Sequence, residues 1–109
     1  SIDSSLAAIG HLERYVVTFE WDSTKATANL RKHKVSFSEA ASVFLDPLAL
    51  TFDDPDHSDE ENREVTIGVS NKERALFVSH RFRNDRLRII SARKATKKEK
   101  TQYAEKLGQ

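Results

Sequence analysis

The chain has 109 residues, of which 32% are charged and 38% hydrophobic, and its formal net charge is +1. This profile suits one globular domain with a single core, and no apolar run reaches the roughly 18 residues that a membrane-spanning helix needs. The chain has no cysteine, which excludes disulfides and thiolate metal sites and favours a cytoplasmic location.

The first fourteen residues, 1–14, have no clear place in a domain. We predict that they are an N-terminal extension, either native or left by cloning, ahead of a single domain at 15–109. A first strand is predicted at Tyr15–Glu20, which is rich in β-branched and aromatic residues. Asp22 is a suitable N-cap for a helix over Ser23–His33.

A second helix is expected to begin at Ser36 or Ser38 and to end at Pro47. Strands are then predicted at Leu48–Phe52, Glu64–Ser70, Ala75–Arg83 and Arg86–Arg93, with turns at Asn71-Lys72 and Asn84-Asp85. A last helix begins near Thr96, where Glu99 completes a capping box. The short links and the absence of a βαβ repeat predict an α+β fold. Its antiparallel sheet has about four strands, with two N-terminal helices and a C-terminal helix covering one face.

Charge is segregated along the chain. Residues 53–64 hold seven acidic residues against one arginine, whereas residues 72–100 hold eleven Lys or Arg against three acidic residues. The basic segment is either a solvated face or a surface that binds a polyanion. The acidic segment includes His57, but it lacks the glycine and spacing of an EF-hand, so we interpret it as a solvated loop without a metal.

Within the basic segment, three residues are candidates for phosphodiester chemistry. Arg83 and Arg93 can bind phosphate through paired hydrogen bonds, and His80 is a candidate acid or base, with a half-exposed structural role as the alternative. Period-two alternation along the last strand predicts that Arg88 and Arg93 lie on opposite faces. Arg93 is favoured for the site because its strand end adjoins the helix start at Thr96.

The chain resembles the BrnT toxins of bacterial type II toxin–antitoxin systems, whose fold is similar to that of RelE-type ribonucleases. The motifs that carry the resemblance are FEWD (19–22), KATANLRKH (25–33), VSFSEAASVFLDPLAL (35–50), IGVS (67–70) and RIISARKATKKE (88–99). Lys34 departs from the family pattern, which has glycine after the Lys-His pair. We therefore expect the first helix to end differently here.

The resemblance implies a cytoplasmic, metal-independent endoribonuclease that inhibits translation and needs no cofactor. It also implies a cognate ribbon-helix-helix antitoxin (BrnA-like) that forms a hetero-oligomer with the toxin and alone contacts promoter DNA. The predicted catalytic residues are His80, Arg83, Arg93 and Lys25. The predicted RNA-binding residues are Arg81, Arg88, Lys94, Lys32 and His33.

Two other functions are compatible with the same residues. The chain is alternatively a non-catalytic binding module of a toxin–antitoxin complex, or a ParE-like gyrase inhibitor, because one fold hosts several functions. Trp21 and Tyr103 are interpreted as packing residues, although tryptophan can also stack on a base.

Overall fold

The computed structural model describes residues 2–9, 16–54 and 63–107. The elements are, in chain order, β1 (Ile2–Ile9), β2 (Val16–Asp22), α1 (Ser23–His33), α2 (Phe37–Ser42) followed by a 3₁₀ turn (Val43–Leu45), β3 (Leu50–Asp53), β4 (Arg63–Val69), β5 (Ala75–Arg83), β6 (Arg86–Lys94) and α3 (Lys97–Leu107). Within the described part of the chain, no helix is long and apolar enough to cross a membrane.

The described strands form one six-stranded sheet in the order β1-β2-β6-β5-β4-β3. The α+β class and the three helices are confirmed, but the prediction of an antiparallel sheet of about four strands is wrong in detail. The sheet is mixed, because β2 and β6 pair in parallel while all other neighbours pair antiparallel. Strand periodicity does not reveal which distant strand becomes a neighbour, so this pairing was missed. The assignment of 1–14 as an extension stays a prediction.

One face of the sheet packs against α1 and α2. The buried core on this face includes Phe19, Leu76 and Leu87. The buried side chain of Asn29 fixes α1 to the sheet, because its amide donates to the Ala92 carbonyl at 2.8 Å and its oxygen accepts from the Ala92 amide at 3.1 Å.

Trp21 packs against this core, with its ring edge-to-face on Phe37 at 5.9 Å. This agrees with its interpretation as a packing residue. A helix of six residues is not stable in isolation, so this contact and the rest of the apolar core stabilise α2.

The helix α3 packs over part of the opposite face. Arg93 stacks its guanidinium on the Phe77 ring at 3.9 Å and makes two hydrogen bonds to Glu99 in the first turn of α3, at 2.8 and 2.9 Å. Phe77 pairs with the fully buried Ile67 of β4, so these residues share that face. Further along α3, Tyr103 donates to Asp46 at 2.7 Å. The Asn84 end of the hairpin between β5 and β6 stays exposed.

The predicted helix caps are confirmed. Asp22 accepts from the amides of Thr24 and Lys25, at 2.8 and 3.1 Å, and begins α1. Thr96 and Glu99 exchange side-chain to backbone hydrogen bonds at 2.8 and 3.2 Å, which is the geometry of a capping box.

The end of α1 corrects a prediction. Lys34 adopts the left-handed conformation, with φ of 61°, and its amide donates to the Leu30 carbonyl. The helix therefore ends with the same left-handed cap that glycine would form. This conformation is less favourable for lysine than for glycine, because lysine has a Cβ atom. The expectation of a different helix end was wrong.

Candidate nucleic-acid interface

A tight hairpin carries a group of arginines on the described surface. Asn84 and Asp85 form the predicted turn between β5 and β6, with φ values of 53° and 64°. Two successive positive φ values are typical of the turns that join twisted antiparallel strands, and Asn and Asp adopt them at low cost. The short turn fixes the register of the two strands.

This register gathers four arginines, which we call the arginine cluster: Arg81, Arg83, Arg86 and Arg88. Arg83 pairs with Arg86 across the strands, and Arg81 pairs with Arg88. Cross-strand partners and alternate residues of a strand project from the same face, so all four lie on the face opposite α1. Like charges placed directly opposite destabilise a sheet. Repulsion among the four arginines therefore destabilises the sheet, and a bound anionic ligand would offset this repulsion.

The arginine cluster lines a cavity of about 250 Å³ together with Glu20 and Asn84. Sites for drug-sized ligands occupy roughly 300–1,000 Å³, so this volume suits a smaller group such as a phosphodiester with part of its sugar. Glu20 reaches the cavity from β2, where it pairs with Arg88, and its carboxylate contacts Arg86 at 3.2 Å. Arg83 and Arg88 have no ion pair among the residues that the structure describes.

Arg93 lies outside the arginine cluster, at the far end of β6. It is seven positions along the strand from Arg86, which corresponds to about 20 Å. Its hydrogen bonds to Glu99 raise the pKa of Arg93 and lower that of Glu99, so both groups stay charged and paired. Arg83 and Arg93, predicted to work together, are thus not brought together.

A β-bulge corrects the predicted faces of the last strand. The pairing of β5 with β6 shifts between Ser79 and His80: Ser79 pairs with Ser91 but His80 pairs with Ile89. The extra residue in β6 reverses the alternation beyond it. Arg88 and Arg93 therefore share a face, and the prediction that they lie on opposite faces was wrong.

His80 is buried, with 2% of its surface exposed. Its Nε2 lies 2.7 Å from the Thr66 hydroxyl, and its ring packs edge-on against Phe44 at 4.9 Å. Desolvation by burial lowers the pKa of His80 to about 4. The ring is therefore neutral near pH 7 and lies on the α2 side of the sheet, away from the arginine cluster.

The remaining predicted residues also lie apart from the arginine cluster. Lys25 and Lys32 are exposed and His33 is partly exposed, and all three are on α1, which packs against the other face of the sheet. Lys94 is exposed and pairs with the core residue Leu76, so it too belongs to the face covered by α1 and α2. Of the predicted site residues, the structure groups only Arg81, Arg83 and Arg88.

The sequence prediction missed three cavity residues: Glu20, Asn84 and Arg86. A usable signal existed for Arg86, because a two-residue turn at Asn84-Asp85 places it directly opposite Arg83. No local signal existed for Glu20, whose position depends on the parallel pairing of β2 with β6.

Among the described residues, no three His, Asp or Glu side chains are grouped so that they could hold a metal ion. The loop that contains His57 lies outside the described residues, so the structure does not bear on its interpretation.

The fold and the arginine cluster define a small α+β protein with a cationic surface at one end of its sheet. The model of the family described as "ribonuclease toxin, BrnT, of type II toxin-antitoxin system" matches residues 21–99, and the chain therefore belongs to this family. It is a ribonuclease toxin of a type II toxin–antitoxin system, and membership implies an antitoxin partner.

The fold is similar to the crystal structure of the Brucella abortus ribonuclease toxin BrnT. The two share 24% sequence identity with a TM-score of 0.56, and the match covers 71% of this chain and 94% of that one. No curated protein matches the chain.

Proposed function

We propose that the chain is an endoribonuclease that binds the RNA backbone through the arginine cluster and cleaves it without a metal ion. The observation that carries the proposal is the grouping of four guanidinium groups around one small cavity on the hairpin of β5 and β6. Guanidinium stays charged at any physiological pH and offers paired donors to phosphate oxygens. Fixed cations of this kind stabilise the additional negative charge that develops at phosphorus during cleavage.

The ribose supplies the nucleophile for this reaction. The 2′-oxygen attacks phosphorus, the bond from phosphorus to the 5′-oxygen breaks, and the products end in a 2′,3′-cyclic phosphate and a 5′-hydroxyl. The proposal keeps Arg81 and Arg88 as RNA contacts, gives the same role to Arg83, which was predicted to be catalytic, and adds Arg86. In this proposal His80 stabilises the sheet through its hydrogen bond to Thr66. Arg93 stabilises the start of α3 through its hydrogen bond to Glu99. Lys25, Lys32 and Lys94 then contribute to long-range attraction of RNA.

We further propose that the antitoxin is a ribbon-helix-helix protein that blocks the arginine cluster with an acidic segment. Opposite charge speeds the encounter of two proteins and selects the correct partner, and a segment that folds on binding can cover a large surface. DNA contact then belongs to the antitoxin.

Cleavage in the presence of EDTA tests the enzymatic proposal. Purified, folded protein without antitoxin should cleave RNA and leave 2′,3′-cyclic phosphate ends, and added antitoxin should suppress the reaction. An Arg83→Gln/Arg88→Gln variant should lose cleavage but keep the fold of the wild type. Cleavage that requires Mg²⁺ would contradict the metal-independent mechanism. RNA binding without any cleavage would instead favour the binding-module alternative.

A further inference from the structure

Among the described residues that line the cavity of the arginine cluster, Glu20 is the one carboxylate. It projects from β2 on the face shared with Arg88, its cross-strand partner. Its side chain is only 12% exposed, whereas that of Arg86 is 59% exposed. Glu20 therefore forms a wall of the cavity, while the arginines extend around its opening.

The Glu20–Arg86 contact contributes little to either the stability of the fold or the binding of an anion. A surface ion pair of this type contributes only about 0–1 kcal/mol to stability, and Arg86 is more than half exposed, so the pair gives the fold little. A carboxylate among phosphate-binding cations also weakens anion binding, because it repels the phosphate. A residue that adds little stability and opposes ligand binding needs another reason to occupy this cavity.

We infer that Glu20 is the general base for RNA cleavage; the inference rests on the proposed function. A phosphate bound by the arginine cluster brings its ribose 2′-hydroxyl within reach of the cavity wall. The Glu20 carboxylate takes the 2′ proton as the bond from the 2′-oxygen to phosphorus forms. The bond to the 5′-oxygen breaks, and that oxygen takes a proton from solvent. This exchange of bonds and protons needs no oxidant, reductant or metal ion.

A positioned general base contributes about 10²–10⁴-fold to a rate. His80, the sequence candidate for this role, is buried on the other side of the sheet. Glu20 therefore supplies the proton acceptor that the arginine cluster lacks.

The Glu20→Gln variant separates catalysis from binding. We expect cleavage per folded molecule to fall at least 100-fold. Binding of a 2′-O-methyl RNA, which cannot react, should be equal or tighter because a repulsive charge is lost. The matched control is Glu105→Gln, which removes an exposed carboxylate of α3 and should leave both quantities unchanged. Circular dichroism reports the folded fraction of each variant.

A folded Glu20→Gln variant that cleaves within threefold of wild type would overturn the inference. If this variant does not fold, Glu20→Asp decides in its place, because it keeps the charge but withdraws the carboxylate by one methylene. A rate loss above tenfold supports the inference, and an unchanged rate overturns it. If the wild type itself does not cleave RNA, the proposed function fails first, and the two failures are thereby distinguished.

Discussion

The salt dependence of RNA binding gives a quantitative test of the arginine cluster. Each phosphate contact to a single strand contributes about −0.7 to the slope of log K against log salt concentration. Four contacts predict a slope of about −2.8, which corresponds to a roughly 50-fold loss of affinity between 50 and 200 mM salt. The Arg83→Gln/Arg88→Gln variant removes two of these contacts, so its slope should be about −1.4 and its loss about sevenfold.

The assay is a fluorescence anisotropy titration of a labelled 2′-O-methyl RNA at four or more salt concentrations. The matched control is Lys100→Gln/Lys106→Gln, which removes the same charge from the exposed surface of α3. Its slope should stay near that of the wild type. Equal slopes for the wild type and the cluster variant, or a larger change in the control, would refute the assignment of RNA contacts to the arginine cluster.

Three further predictions concern stability. Lys34→Gly should raise the free energy of unfolding in urea by about 1 kcal/mol, because glycine adopts the left-handed cap without a steric cost; a decrease would contradict this. Because burial lowers the pKa of His80 to about 4, below its ordinary 6.5, the unfolded chain binds the proton more strongly. Stability should fall by about 3 kcal/mol from pH 7 to pH 4, and His80→Gln should flatten this dependence between pH 6.5 and 4.5. Tyr103→Phe loses the hydrogen bond to Asp46 and should destabilise by about 1 kcal/mol in thermal melts; an unchanged melting temperature would contradict that assignment.

Local elements of this fold could be predicted because their signals are contained in a few neighbouring residues. The Asp22 cap, the capping box of Thr96 and Glu99, and the Asn84-Asp85 turn each satisfy backbone groups within four residues. Such interactions do not depend on the rest of the fold, so the sequence alone reveals them.

The candidate site was only partly predictable because it depends on long-range pairing. The bulge near His80 and the parallel pairing of β2 with β6 decide which side chains share a face, and neither leaves a local pattern. Arg93 shows a second limit of predicting a binding site from the sequence. A charged residue next to a helix start can bind a ligand or a nearby carboxylate, and here Glu99 of the same capping box is the partner.

The most direct test of the central claim is the location of bound RNA on the folded protein. We would titrate ¹⁵N-labelled protein with a 2′-O-methyl RNA and record the backbone amide shifts. The largest changes should fall at Arg81–Arg88 and at the adjoining Thr18–Glu20 of β2. Changes concentrated on α1 between Lys25 and His33, with the hairpin unperturbed, would contradict the account.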